Sequence, residues 1–230
     1  MTGPMNATAL LHLLQLASPS LPIGGFSYSQ GLEAAMERGL VTNEATARVW
    51  LVSTLHDIVA RFDAPLLWRL LQAWEARDSA AIMYWTDVVL AGRDTAEFRA
   101  ETIQMGYSLT RLVTDLAIAD PAMQAILDDL PEVPLPTALA FAAIALAVPP
   151  EATLLGMLFS WAEGQTLVCV KSVPLGQVAG QRLLLSLRPE LEAAAITTQT
   201  LADDDLCNWA PGLSLLSMQH ETQYSRLYRS

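Results

Sequence analysis

Residues 66–74, with the sequence LLWRLLQAW, decide the fold class because their apolar side chains recur at helical spacing. The positions i, i+3, i+4 and i+7 of this stretch are occupied by Leu67, Leu70, Leu71 and Trp74. Two more stretches repeat the spacing, with Val52, Leu55, Val59 and Phe62 in one and Met105, Leu109, Leu112 and Leu116 in the other. Such a stripe has to be buried against another helix, so the repeated pattern predicts an all-α fold.

Capping residues predict where helices begin. Asp94 with Glu97 three residues later is typical of a capping box, and it predicts a helix that runs to about Ala119. Residues 167–173 are rich in valine, so propensity alone favours a strand there. The sequence offers no second alternating run that would pair with such a strand, and we therefore expect a helix.

The element count and the composition predict one domain. Between the start and stop signals there is room for roughly ten helices joined by short loops, in a single-domain bundle over residues 1–230. We expect a flexible segment at about residues 1–8 and a loosely attached tail at about residues 212–230, because termini stay mobile unless they are tied down.

The charge balance argues against nucleic-acid binding. The chain has 13 Lys and Arg residues against 24 Asp and Glu residues, which gives a formal net charge of −11. A protein that neutralises phosphates needs clustered basic side chains, and those of this chain are scattered.

Length and pattern argue against a membrane span and favour a cytoplasmic protein. The longest uncharged stretch in the body, residues 133–150, is interrupted by four prolines and falls short of the roughly 20 apolar residues that a span needs. The first 32 residues carry no charge, so the positive region that begins a signal peptide is missing. Cys169 and Cys207 are far apart, as in proteins of a reducing compartment.

Lys171 is the only lysine, and its surroundings exclude several enzyme classes. A phosphate-binding loop needs a glycine directly before its lysine, whereas Val170 stands there. A desolvated lysine among apolar neighbours can act as a base or form a Schiff base. The interpretation that we favour is a lysine near a helix C-terminus, where its charge meets the negative end of the helix dipole. A partner contact at an exposed loop is a third possibility.

Residues 25–29, GFSYS, begin like the nucleophile elbow of a hydrolase. The elbow requires glycine where Ser29 stands and a preceding strand, which the sequence does not predict. We therefore expect Ser27 to cap a helix with Gln30 as its reciprocal partner, and Gly39 to end that helix in the left-handed conformation.

The sequence predicts no metal site and no cofactor. The three histidines, His12, His56 and His220, include no pair at the spacing that a helical metal site needs. His220 with Glu221 can attract nickel weakly, since imidazole suits nickel, but a solvated pair in the tail is the expected arrangement. Residues 203–205, three aspartates, are expected at a helix start rather than around a cation.

Four stretches resemble the UreF family of urease accessory proteins. The most specific is SPSLPIGGFSYSQGLE at residues 18–33, which is similar to the family's N-terminal signature. DAPLL at residues 63–67, VKSVPLGQ at residues 170–177, and MQHE and SRLYRS at residues 218–221 and 225–230 follow in the family's order. The resemblance therefore spans nearly the whole chain.

The resemblance implies an all-α, non-catalytic homodimer that takes part in loading nickel into urease. Members of the family bridge the accessory protein UreD, also called UreH, and the GTPase UreG, and this assembly meets apo-urease. Carried over by motif, the residues expected to contact partners are Tyr28, Glu33, Lys171, Arg226 and Tyr228.

Two alternatives remain open from the residues alone. The first is a small helical enzyme that uses Lys171 as a base or Schiff-base former, which requires a pocket and an acid or histidine near that side chain. The second is a helical dimerisation module without a connection to nickel.

Overall fold

All regular elements in the described part of the chain are helical. The computed structural model describes residues 5–173 and 175–230 and contains twelve α-helices. They are α1 (Ala7–Leu16), α2 (Leu32–Glu37), α3 (Glu44–Thr54), α4 (Ala64–Ala76), α5 (Ser79–Ala91), α6 (Ala96–Asp115), α7 (Pro121–Asp128), α8 (Leu135–Ala145), α9 (Pro150–Ser172), α10 (Gln177–Ser186), α11 (Arg188–Thr200) and α12 (Pro211–His220). The predicted all-α class is confirmed.

A π-helical segment, Leu55–Asp63, joins α3 to α4 without a break. The α4 helix that follows is the centre of the molecule, because its stripe of large apolar side chains is fully buried: Leu66, Leu67, Leu70, Leu71 and Trp74. Trp74 packs on Phe141 of α8 with ring centroids 5.1 Å apart. The sequence stretch that predicts the fold thus forms the helix around which the others pack.

The buried side chains form two clusters that meet along α4 and α9. One cluster lies among α4, α5, α6, α7 and α8, and the other among α2, α3, α9, α10 and α11. Trp68 of α4 and Met157 of α9 pack against both clusters. Because these two side chains bridge the clusters, the architecture is one bundle with a continuous core.

The predicted cap of α6 is wrong by one residue. Thr95, rather than Asp94, caps α6 by accepting a hydrogen bond from the Phe98 backbone N–H at 3.2 Å, and α6 ends at Asp115 rather than near Ala119. Asp94 instead accepts a hydrogen bond from the Ser214 hydroxyl. Thr and Asp both suit a cap, and the backbone path decides between neighbours.

The predicted cap at Ser27 is also wrong. Ser27 lies in a short 3₁₀ turn, Gly25–Ser27, and α2 begins only after Gly31, whose φ is +79°. A side chain at Gly31 would meet Leu213 of α12 at 2.7 Å, so glycine is needed there for conformation and for space. Gly39, with a φ of +73°, follows the end of α2 in the predicted left-handed conformation.

The ambiguous segment at residues 167–173 belongs to α9, which continues to Ser172 before Val173 becomes extended. Pro174, where the sequence predicts the end of this segment because the residue before a proline resists the helical conformation, lies outside the described residues. The three aspartates at residues 203–205 form a 3₁₀ turn by themselves, and Asp203 pairs with Arg69 of α4. The position of Asp203 is therefore explained by its ion pair with Arg69, and not by the start of a long helix.

The described residues near the two ends of the chain form a cap, a helix and buried contacts. Of the segment 1–8, residues 5–8 are described, and Asn6 caps α1 by accepting a hydrogen bond from the Ala9 N–H at 2.8 Å. The predicted tail from about residue 212 contains most of α12, and beyond it Tyr228 and Ser230 are buried. The tail is held because it supplies hydrogen-bond donors to buried acids, a requirement that its own composition does not reveal.

By length and composition, one helix in the described part, α9, is long and apolar enough to cross a membrane, and about 44% of its most apolar window is buried inside the protein. The uncharged stretch at residues 133–150 ends where this helix begins, so the prolines that interrupt that stretch do not interrupt α9. Leu154, Leu158, Ala162 and Cys169 of this helix are fully buried in the core. Core packing therefore accounts for much of its apolar character.

Candidate partner-binding site

Residues 27–33 and residues 226–230 meet although they lie almost 200 residues apart. Both the backbone N–H and the hydroxyl of Ser29 donate to the carbonyl oxygen of Ser230, at 2.7 and 2.5 Å. The Arg229 N–H donates to the Ser27 carbonyl at 2.8 Å. We call the contacts among residues 27–33, Glu97, Glu101 and residues 220–230 the clasp.

Glu33 of α2 is the acceptor that fixes the path of the tail. Its carboxylate, 7% exposed, accepts the backbone N–H groups of Leu227 and Tyr228 at 2.7 and 3.0 Å. The Nε2 atom of His220 lies 3.0 Å from the same carboxylate. Three neighbours thus share one buried acid, which satisfies backbone donors that would otherwise be buried without a partner.

His220 lies at the end of α12 with no exposed surface. Its Nδ1 atom is 3.0 Å from both carboxylate oxygens of Glu97 on α6, while its Nε2 atom faces Glu33. Arg226 also pairs with Glu97 at 3.1 Å and is about 40% exposed. Two acids on different helices therefore find hydrogen-bond partners in the C-terminal part of the chain.

Glu101, one turn after Glu97 on α6, is the third buried acid. It accepts hydrogen bonds from the Gln30 side chain and the Ser230 hydroxyl, each at 2.7 Å. Burial raises the pKa of the Glu101 carboxyl from its ordinary value, and these two hydrogen bonds oppose the rise in part. Gln30 also accepts from the Trp161 indole at 2.9 Å, so the network reaches α9.

The two tyrosines of the predicted site have different surroundings. Tyr228 is 7% exposed and belongs to the second core cluster. Burial raises the pKa of its phenol, which the nearby Ser172 hydroxyl lowers in part. Tyr28 is 9% exposed and lines a groove of about 460 Å³ beside Glu97, Arg226 and Arg229. Tyr228 is thus an anchor of the clasp, and Tyr28 lies under its outer surface.

The outer surface of the clasp carries arginines and large apolar side chains. Arg226 and Arg229 are exposed there. The exposed fractions of its large side chains are high, at 63% for Phe26, 106% for Tyr224 and 74% for Leu227. Arginine and aromatic residues are enriched where proteins bind one another, so this surface has the composition of an interface.

Lys171 does not belong to the clasp, although the hydroxyl of the next residue, Ser172, lies near the Tyr228 phenol. It is exposed in the last turn of α9, as the helix-end interpretation predicts. It lines a cavity of about 300 Å³ that Tyr28 and Tyr228 also line. An exposed lysine is not desolvated, so the condition that the enzymatic alternative requires is not met.

Sequence reasoning missed the residues that hold the site together. His220 was expected in a solvated pair with Glu221, which is wrong because its ring is fully buried between two carboxylates. The sequence predicts capping roles for Glu97 and Gln30 and no role for Glu101. The one available signal was that Glu97 and Glu101 stand at i and i+4, so α6 presents both acids on one face.

The described residues contain no group of three or more His, Cys, Asp or Glu side chains placed to hold a metal ion. In the clasp, the two ring nitrogens of His220 point to opposite carboxylates, so they do not converge on a common point. A site of this geometry binds peptide N–H groups and charged side chains.

Comparison with known proteins agrees with the resemblance noted in the sequence. Residues 41–188 match the family model described as UreF. A protein of Janthinobacterium sp. (strain Marseille) named urease accessory protein UreF is 70% identical over 226 residues, which cover 98% of this chain and 100% of that protein. A protein of the same name from Nitrosospira multiformis is 62% identical over 222 residues, which cover 96% and 98%. On these matches, the chain belongs to the UreF family.

Proposed function

We propose that this protein is a urease maturation factor: a non-catalytic adaptor that binds a UreD/UreH-type accessory protein and the GTPase UreG and takes part in the GTP-dependent delivery of nickel to apo-urease. Membership of the UreF family is the observation that carries the proposal. Nickel is the cargo of the assembly in this proposal, and no cofactor is assigned to the chain. The protein is proposed to act in the cytoplasm.

The outer surface of the clasp is the proposed contact for the UreD/UreH-type protein. It combines exposed Arg226 and Arg229 with the exposed side chains of Tyr224 and Leu227. Because Glu33 and Tyr228 are buried beneath it, they are proposed to position this surface rather than to touch the partner. Tyr28, at the floor of the neighbouring groove, is proposed to be reached by a partner side chain.

Lys171 is the proposed contact for the GTPase. It is exposed at the end of α9, and no ion pair involves it within residues 5–173 and 175–230. A free cation at the rim of a cavity is available to an acidic patch on another protein.

The proposed homodimer is supported by apolar side chains left on the surface of two packed helices. Leu10, Leu11 and Leu14 of α1 and Leu155 and Phe159 of α9 are all more than a third exposed. The two helices contact each other, since Leu13 of α1 packs on Gly156 of α9. Apolar residues grouped in this way are typical of protein contact surfaces.

A deletion of the gene in a urease-positive host tests the proposed function. We expect the urease protein to accumulate while its activity and its nickel content after purification fall, and both to return when the gene is supplied again. The return should fail with Arg226→Ala in the supplied gene. Arg182→Ala is the matched control, since Arg182 is an exposed arginine that pairs with Glu44 far from the clasp. Fully active, nickel-loaded urease in the deletion strain would contradict the proposal.

A further inference from the structure

The buried imidazole of His220 has a carboxylate on each side. A neutral imidazole carries one N–H donor, so it can satisfy one of these acids while it turns a lone pair toward the other. An imidazolium donates from both nitrogens. The 3.0 Å distances from Nε2 to Glu33 and from Nδ1 to Glu97 therefore fit a His220 that holds both protons.

The other hydrogen bonds of the two acids show that both carboxylates act as acceptors. Glu33 also accepts the backbone N–H groups of Leu227 and Tyr228, and Glu97 also accepts from Arg226. Donors of this kind stabilise the charged form of a carboxylate. An imidazole that donates from both of its nitrogens matches two such acceptors.

Among the groups in direct contact with one another, the charges balance only while His220 is protonated. Glu33 and Glu97 contribute two negative charges, and His220 and Arg226 contribute two positive charges. The other charged or titratable groups nearby do not replace the imidazolium. Arg229 is exposed and forms no ion pair with either acid in the described part of the chain, Tyr228 is a phenol whose pKa is raised by burial, and Glu101 and Glu221 are further acids. If His220 releases one proton to solvent, a buried negative charge loses its partner, which is costly.

We propose that His220 is a positioning residue whose imidazolium holds residues 226–230 against residues 27–33, and that loss of its proton releases this segment. The charges of the ring decide in which direction pH acts on this segment. The segment is held while His220 is protonated, and it is released as the pH rises and the ring becomes neutral. The surface formed by Arg226, Leu227 and Arg229 is then presented in a fixed geometry only at the lower pH. The inference concerns the free protein and does not depend on which partner binds that surface.

The Leu227 and Tyr228 amides report this release directly, since both donate to the same carboxylate as His220. Protein labelled with ¹⁵N-histidine is titrated, and the ring nitrogen shifts show whether His220 carries one proton or two. In parallel, hydrogen exchange of the two amides is measured and expressed as protection relative to an unstructured peptide at the same pH. We expect two protons on the ring at the acidic end. Protection should fall about ten- to a hundredfold over the same pH interval in which the ring loses one proton, which is the loss of about one hydrogen bond to a charged group.

Two variants separate a positioning role from a merely structural one. His220→Gln keeps a polar side chain but has no ionisable ring, so the two amides should be weakly protected with no change over that pH interval. His56→Gln is the control, because His56 also pairs with a glutamate, Glu190, but on another face and partly exposed. It should retain the wild-type pH profile at Leu227 and Tyr228.

Either of two results overturns the inference, and both can be read from the wild-type protein even if His220→Gln fails to fold. One is a His220 ring with a single proton while both amides remain fully protected. The other is a loss of protection that does not follow the ionisation of His220. Coincident loss of the ring proton and of protection, absent in His220→Gln and unchanged in His56→Gln, supports it.

Discussion

At the scale of single residues, the molecule depends on a few buried acids that the C-terminal segment neutralises. Glu33→Ala removes one of them and leaves His220 and two backbone N–H groups without their acceptor. We expect the free energy of unfolding to fall by about 3–5 kcal/mol, the usual effect of breaking a buried pair. Urea unfolding followed by circular dichroism measures it. Glu37→Ala, on the exposed face of the same helix, should change it by less than about 0.5 kcal/mol. Equal effects of the two substitutions would argue against the clasp.

The raised pKa of Glu101 gives a pH dependence with a defined sign. Because burial raises the pKa of this carboxyl in the folded protein, the native state binds a proton more strongly than the unfolded chain does. Its contribution to stability is therefore present at low pH and declines as the pH rises from the ordinary carboxyl value through the folded pKa. Glu101→Gln cannot ionise, so the variant should lack this decline. Urea unfolding of both proteins between about pH 4 and about pH 7 tests it, and parallel pH profiles would refute it.

Substitutions of Lys171 distinguish a role in binding the GTPase from a role as a catalytic base or Schiff-base former. Since the side chain is exposed, Lys171→Ala should change the free energy of unfolding by no more than about 0.5 kcal/mol. Binding of the GTPase in a pull-down should weaken, and urease activation with it. Lys171→Arg should keep part of both functions if the contact is ionic, whereas arginine cannot form a Schiff base. If both variants bind partners normally but fail to activate urease, the enzymatic alternative gains support.

The residues of the site show how far sequence reasoning reaches. Motif resemblance picked out Glu33, Arg226 and Tyr228, which the structure brings together in the clasp. It could not separate buried anchors from exposed contacts, because that depends on how a segment almost 200 residues away packs. His220 was missed for the same reason, since a lone histidine near a chain end has no periodicity that signals burial.

At the scale of elements, glycines mark where helices approach closely. Gly106 in α6 faces backbone, and a Cβ atom there would lie 2.0 Å from the Val133 carbonyl oxygen, so the segment before α8 must shift. We expect Gly106→Ala to lower the free energy of unfolding by about 1–3 kcal/mol, as overpacking does. Gly164→Ala in α9 is the matched control, because nothing lies within 4 Å of its added methyl group. It should raise stability by up to about 1 kcal/mol through helix propensity. Thermal unfolding of both variants tests these two expectations. Destabilisation by Gly164→Ala would contradict this account.

Helices proved more predictable than their ends. The stripes at residues 52–62, 67–74 and 105–116 are local patterns, and each lies in a helical segment of the structure. The start of α6 moved by one residue because Asp94 and Thr95 are both suitable caps, and the tertiary bond from Ser214 engages Asp94. The π-helical turn from Leu55 to Asp63 leaves no signature in the spacing of apolar residues, which is why it was not predicted.

At the scale of the whole molecule, we expect the proposed adaptor to show no catalytic activity and no tight metal binding in the absence of its partners. The described residues contain no group that could hold a metal ion, and the sequence has no phosphate-binding loop. We expect the purified protein to hydrolyse no GTP and to bind no stoichiometric tight nickel by calorimetry. His220→Gln serves as the control for weak binding at the only histidine of the clasp. Tight nickel binding that persists in this variant would reveal a site that neither the sequence nor the structure indicates.

The distance along the chain between Ser29 and Ser230, 201 residues, has a consequence for biosynthesis. A ribosome that adds about 5–20 residues per second needs roughly 10–40 s to pass from one to the other. During that time the growing protein has made Glu33, Glu97 and Glu101 but not the groups that neutralise them. The clasp therefore cannot close until residues 226–230 have been synthesised. Until then Glu33, Glu97 and Glu101 lack the hydrogen-bond donors that residues 220–230 provide, so a chain interrupted before that point exposes three acids that the folded protein buries.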